Sequence, residues 1–259
     1  MGQKLRVLSA NLWKGGADPK AFSDLVAAID PDVVAVQECT PEQAEAIGTV
    51  MPYGLMDPLT DPSGRTAGPS GEPMGLGLAM KRPGEVHRLE LPYRSAYRVQ
   101  LNPADWPELS RPAEVLNVHF IAPHMIRPRP GVFQRPSQMR EFLRQLDAGG
   151  QDVSEPDLSS LKGQGRVESC QRIIVGDFNA TPLWPLYWRM ASQFTDAAVA
   201  VARASGRRTQ RTWGPGFGAP RLLRIDRGFV TKGMRVDEFE VVSVLGSDHS
   251  AIVMNVLLD

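Results

Sequence analysis

Gly176-Asp177-Phe178-Asn179-Ala180 follows directly on the apolar run Ile173-Ile174-Val175, and further along the chain Ser247-Asp248-His249-Ser250 leads into Ala251-Ile252-Val253-Met254. β-branched apolar runs of this length read as buried strands. An Asp-x-Asn or Asp-His sequence at the mouth of a buried strand needs a reason, because unpaired charge is costly away from water. Metal or phosphate chemistry supplies one. Two-residue spacing on an extended segment also puts Asp177 and Asn179 on one face. Asp-x-Asn builds ordinary turns as well, so this motif gains meaning only from its company.

The same grammar recurs outward from that stretch. Leu5 to Leu8 runs into Ser9-Ala10-Asn11, and Val33-Val34-Ala35-Val36 ends in Gln37-Glu38. Val115-Leu116-Asn117-Val118 ends in His119, and Leu222-Leu223-Arg224-Ile225 ends in Asp226. Six strand-like runs therefore deliver Asn11, Glu38, His119, Asp177 with Asn179, Asp226, and Asp248 with His249. Hard oxygen donors of this kind suit Mg²⁺ or Mn²⁺. Glu38 is the first candidate ligand, Asn11 offers an amide oxygen, and Asp248 approaches from the last motif. Magnesium keeps several waters, so two or three protein ligands suffice. His249 titrates near neutrality and is the leading general base, with Asp177 competing for the same role.

The ordered set Asn11, Val36-Gln37-Glu38, Asn117-Val118-His119, Gly176-Asp177-Phe178-Asn179, Ile225-Asp226 and Ser247-Asp248-His249 resembles the endonuclease/exonuclease/phosphatase superfamily, from residue 4 to about residue 257. The resemblance implies a four-layer α/β (α+β) sandwich, with two mixed β-sheets packed face to face and helices outside. Pattern alone gives only α/β or α+β. It also implies a divalent-metal-dependent phosphoesterase that cleaves phosphodiesters by in-line attack of an activated water. Nucleic acid, DNA or RNA, is the leading substrate class; a small-molecule or lipid-headgroup phosphate is the alternative. By family position Asp226 orients His249, and Asn179 donates to the phosphate oxygens. His119 resembles the second histidine of the deoxyribonuclease and sphingomyelinase branches, where it stabilises the pentacovalent phosphate or protonates the leaving oxygen. The abasic-site endonuclease branch carries a different residue there.

Bulk properties set weaker bounds. The 259 residues suit one large α/β domain spanning 1–259, with the polar, Gly/Ser-rich stretch 147–168 expected as a mobile surface insertion. Net charge is zero, which removes any argument for a polyanion partner from global charge while leaving a local basic patch open. Arg127, Arg129 and Arg135 crowd the segment after His119 and are candidate phosphate contacts. Trp13, two residues past Asn11, is the aromatic placed near the pocket mouth. Trp106, Trp184, Trp188 and Trp213 are read as packing residues. The two cysteines, Cys39 and Cys170, show no disulfide or zinc spacing. No stretch approaches the roughly 18 apolar residues of a membrane span. A cytoplasmic, monomeric protein is expected.

Helices are expected over 19–29, from the Thr40 cap to about residue 47, over about 136–146, and after Thr181-Pro182. Late strands are expected over 223–230, 236–244 and 250–257, and loops over 57–73 and 206–220.

Overall fold

A computed structural model describes residues 3–58, 75–124, 131–147 and 171–258. The chain begins β1 (Gln3–Asn11), α1 (Pro19–Ile29), β2 (Val33–Gln37), α2 (Pro41–Gly48), β3 (Tyr53–Asp57) and β4 (Leu76–Met80). It continues β5 (Glu85–Leu91), β6 (Arg94–Leu101), β7 (Ala113–His119), α3 (Gly131–Asp147) and β8 (Gln171–Asp177). It ends α4 (Pro185–Gln193), β9 (Phe194–Asp196), α5 (Ala197–Ser205), β10 (Asp226–Thr231), β11 (Arg235–Ser243) and β12 (Ser250–Leu258).

Twelve strands among the described residues form two mixed sheets, ordered β11-β12-β1-β2-β4-β3 and β5-β6-β7-β8-β10-β9. Each sheet has one parallel pair at its centre, β1 with β2 and β7 with β8, and antiparallel neighbours on both sides. The helices cap as their sequences require. Asp18 accepts from the Ala21 amide at the start of α1, and Thr40 with Gln43 forms a capping box on α2.

Period-2 alternation sorts the strand residues into layers. Leu8, Ala10, Val34, Val36, Ala251 and Val253 face outward to meet Phe22 and Val26 of α1 and Ile47 of α2. Leu116, Val118, Ile174 and Phe229 face the other way, toward Met139 and Phe142 of α3 and Met190 of α4. Between the sheets lie Leu5, Val7, Val33, Ala35, Val115, Ile173, Val175, Met254 and Val256. This is the four-layer sandwich.

The inner layer changes character along the strands. Inward positions read Leu5, Val7, Ser9, Asn11 on β1, and Val33, Ala35, Gln37 on β2. They read Val115, Asn117, His119 on β7, and Ile173, Val175, Asp177 on β8. Apolar residues give way to polar ones at the same level on all four strands. At the changeover, Gln37 donates to the side chains of Asn117 at 2.7 Å and Ser9 at 3.2 Å. Asn117 donates onward to the Val36 and Gly77 carbonyls, both at 2.8 Å. Asn117 thus staples one sheet to the other directly beneath the polar edge. A buried amide left unpaired there would cost about 1–3 kcal/mol.

Two expectations need correction. The run Leu222–Ile225 is not a strand that ends in Asp226: Leu222 and Leu223 are exposed, and Asp226 is the first residue of β10, which runs antiparallel to β8. The helix expected from Pro136 begins at Gly131 and takes that proline into its second turn. The edge strand β3 and the pair β9–α5 are additions. The loop at 57–73 and the insertion at 147–168 fall almost wholly outside the described residues.

Candidate active site

The polar edge collects the sequence candidates. β1 ends in Asn11, β7 in His119 and β8 in Asp177, while β2 leads into Glu38. β10 starts with Asp226, cross-strand from Asp177, and Asp248-His249 immediately precedes β12. Gly176 makes this possible on β8. Its φ is +139°, and a Cβ there would lie 1.9 Å from the Val118 carbonyl oxygen of the neighbouring parallel strand. Only glycine allows so close an approach at that backbone angle.

Distances join the groups. Asp177 Oδ2 accepts from Asn179 Nδ2 at 2.9 Å and from Asn11 Nδ2 at 3.3 Å. Its Oδ1 accepts from the Asn179 amide at 2.8 Å. His119 Nε2 lies 3.5 Å from Asp177 Oδ2 and 3.7 Å from Glu38 Oε1. His249 Nδ1 lies 2.9 Å from Asp226 Oδ2, which leaves Nε2 facing Asp248 Oδ1 at 3.8 Å. Every sequence-predicted site residue is therefore part of one assembly. Most of it is buried, and it reaches solvent through the half-buried Glu38 and Asn179.

Burial and partners set the charge states. Burial pushes Asp177 up to about 7, against the pull of His249 and with help from the carboxylates of Asp226 and Glu38. Burial alone would lower His249. The Asp226 carboxylate and its hydrogen bond outweigh it, and His249 rises to about 10. His119 goes the other way, held well below the ordinary histidine value by burial and then by Arg94, His249 and Lys14. Burial also raises Asp248.

The donor set fits a hard divalent cation. The Glu38 side chain is only 17% exposed, makes no hydrogen bond among the described residues, and sits on a left-handed backbone with φ +55°. Asp248 Oδ1 is buried without a partner. Asn11 Oδ1 accepts one bond, from the Trp13 amide at 3.0 Å, and keeps a second lone pair. Among the described residues, three acidic, imidazole or thiol side chains do not close around one point.

Several residues escaped the sequence reading. Arg94 of β6 donates to the His119 ring, 2.8 Å from Nδ1. Trp213, read as packing, donates Nε1–H to Asp248 Oδ2 at 3.0 Å. Arg227, adjacent to Asp226, donates to the Ala180 carbonyl at 2.9 Å and to Asp196 at 3.1 Å, and so braces the segment after Asn179 from behind. None carries a sequence signal, because each acts through a long side chain from another element. Arg135 lies buried on α3, 3.4 Å from the Phe178 carbonyl and over the Trp184 ring. Arg127 and Arg129 lie outside the described residues. Trp13, whose amide bonds Asn11 Oδ1, is 40% exposed, and Trp13, Lys14 and Gly15 are all left-handed, with φ of 53°, 50° and 90°. Among the described residues, no helix is long and apolar enough to cross a membrane.

The fold recurs in solved structures. The human Nocturnin catalytic domain with bound sulfate superposes with a TM-score of 0.68 at 17% identity, covering 100% of this chain and 97% of that one. TDP2 of D. rerio, in complex with a single-strand DNA product, gives 0.66 at 16% identity over 98% and 99% of the two chains. A conserved protein of unknown function from Enterococcus faecalis V583 gives 0.67 at 15% identity over 98% and 100%. Identities this low carry the fold alone. No curated protein matches the chain. The profile of one family does match, over residues 8–249, from Leu8 in β1 to His249 itself. The chain is a member of the Endonuclease/Exonuclease/phosphatase family.

Proposed function

We propose that this protein is a divalent-metal-dependent phosphodiesterase acting on nucleic acid. One observation carries the reading: carboxylates, amides and imidazoles from both sheets meet at one edge, linked from Glu38 through His119 and Asp177 by contacts of 3.7 and 3.5 Å. Glu38 and Asn11 would hold Mg²⁺ or Mn²⁺, with Asp248 Oδ1 available beside them. Such a cation neutralises the phosphate and stabilises the leaving oxygen.

The chain's own groups divide the remaining work. Asp177, its basicity raised by burial, takes the proton of the attacking water. His249, cationic in its pairing with Asp226, donates from Nε2 to a non-bridging phosphate oxygen. Asn179 already spends its amide on Asp177 and the Phe120 carbonyl, so it orients the base as well as approaching the phosphate. Neutral His119, backed by Arg94, stands on the leaving-group side. Trp13 and Lys14 favour a nucleotide: the exposed indole lies next to Asn11 in the chain, its amide bonded to Asn11 Oδ1, and the Lys14 ammonium is near enough to act on His119. The single-strand DNA product held by the D. rerio TDP2 structure is consistent with that class. The exposed Leu183 (92%) and Leu245 (59%) favour the second reading, a lipid-headgroup phosphodiester.

A substrate panel with Mg²⁺ or Mn²⁺ tests the proposal, comparing plasmid DNA, single-stranded oligonucleotides, bis-p-nitrophenyl phosphate, inositol phosphates and phospholipid vesicles. Nucleic acid should be cut fastest, and chelation or Asp177→Ala should lower turnover by about 10²–10⁴-fold. Absence of metal-dependent cleavage of every phosphodiester would sink it. Faster turnover of vesicles would select the second reading.

A further inference from the structure

We propose that Arg221 is the positioning residue of the last motif, a cation around which Ser247-Asp248-His249 is wound so that Asp248 and His249 face the cluster. This rests on the function proposed above. Arg221 sits in the loop before β10, 26 residues ahead of the Ser247 that opens the motif it holds. Its Nη1 donates to the Asp248 carbonyl at 2.5 Å. Its Nη2 donates to the carbonyls of Ser247 and His249, both at 3.1 Å, and its Nε donates to Ser250 Oγ at 3.0 Å. Among the described residues no carboxylate pairs with it.

Three successive carbonyls accept from one guanidinium. In a strand, successive carbonyls point to opposite sides. The segment is therefore not the start of β12 but a turn whose carbonyl dipoles converge, and convergent dipoles require a positive centre. Lysine could not replace it, because a point-charge ammonium lacks the planar fork that spans the four acceptors.

The same loop fixes the side chains. Trp213 Nε1 holds Asp248 Oδ2, the Gly214 amide bonds the Asp248 carbonyl at 3.1 Å, and the Ser250 amide bonds the Thr212 carbonyl at 2.7 Å. Thr212 Oγ1 accepts from the amides of Ile225 and Asp226. One loop thus sets Asp248, which keeps Oδ1 free, and Asp226, which holds His249. On the far side, Ser247 Oγ donates to the Asn11 carbonyl at 2.8 Å and accepts from the His249 amide at 3.0 Å.

The test uses Arg221→Ala, Arg221→Lys and Trp213→Phe in the full chain. Readouts are thermal midpoint, kcat and KM on the phosphodiester the parent cleaves, Mn²⁺ affinity by electron paramagnetic resonance, and rescue by millimolar guanidinium ion. Arg221→Ala should lower kcat by about 10²-fold with little change in KM. It should weaken Mn²⁺ binding by about tenfold, and guanidinium, unlike sodium, should restore part of both. Lysine should restore neither. A folded Arg221→Ala with parental kcat and Mn²⁺ affinity overturns the proposal. So does a loss that follows the thermal midpoint and shows no rescue. If Arg221→Ala does not fold, Trp213→Phe decides: unchanged Mn²⁺ affinity counts against positioning by this loop. A parent that binds Mn²⁺ but cleaves no phosphodiester removes the reading of function and leaves the positioning claim to the Mn²⁺ data. A parent that does neither removes both.

Discussion

His119 and His249 are buried imidazoles in one cluster, and they are shifted in opposite directions: His119 toward the neutral ring, His249 toward the cation. His119 has an arginine at its Nδ1 face; His249 has a carboxylate there. Burial pushes both toward neutrality, and it prevails only at His119, where Arg94 adds to it. At His249 the Asp226 carboxylate overrides it. Burial is therefore a poor guide to the charge of a site residue. The partner on the rear nitrogen decides, and it decides differently for two rings fed by different sheets.

Removing the carboxylate should break the contrast most severely. Asp226→Asn leaves His249 with a partner that no longer favours the cation, and kcat should fall by about 10³-fold or more with the fold retained, as circular dichroism and steady-state kinetics would show. Breaking the other side should matter less. Arg94→Met takes a positive charge from His119; its ring, followed by NMR titration, should become easier to protonate, and kcat should fall by about tenfold. An unchanged His119 titration would mean that Arg94 does not set its charge. The smallest effect is on stability. His249 is raised in the folded state, so its contribution is complete below the ordinary histidine value and is lost as pH climbs toward about 10. The parent's melting temperature should drop over that interval by on the order of 5 °C more than that of His249→Gln. Parallel curves for the two proteins would remove the Asp226–His249 pair as a source of stability.

The sequence carried the strand ends well, for a local reason. A buried run that stops in a polar residue is visible in a few letters, and on β1, β2, β7 and β8 the polar residue lies on the inward face. Asp226 shows the limit of that logic. Leu222 and Leu223 look like a buried run but are exposed, and the strand runs away from Asp226 rather than toward it. β3 escaped notice because an edge strand with exposed residues has no alternation to read. Arg94, Trp213 and Arg221 lie 25 to 35 residues from the groups they touch, and nothing local marks an arginine that will bond three carbonyls.

β12 is the last strand of the chain to be made, yet it lies inside its sheet, between β11 and β1. During synthesis β1 emerges well ahead of β12, its antiparallel partner. A chain that lacks β12 leaves β11 and β1 without the strand that joins them, and an unpaired strand edge is prone to aggregation.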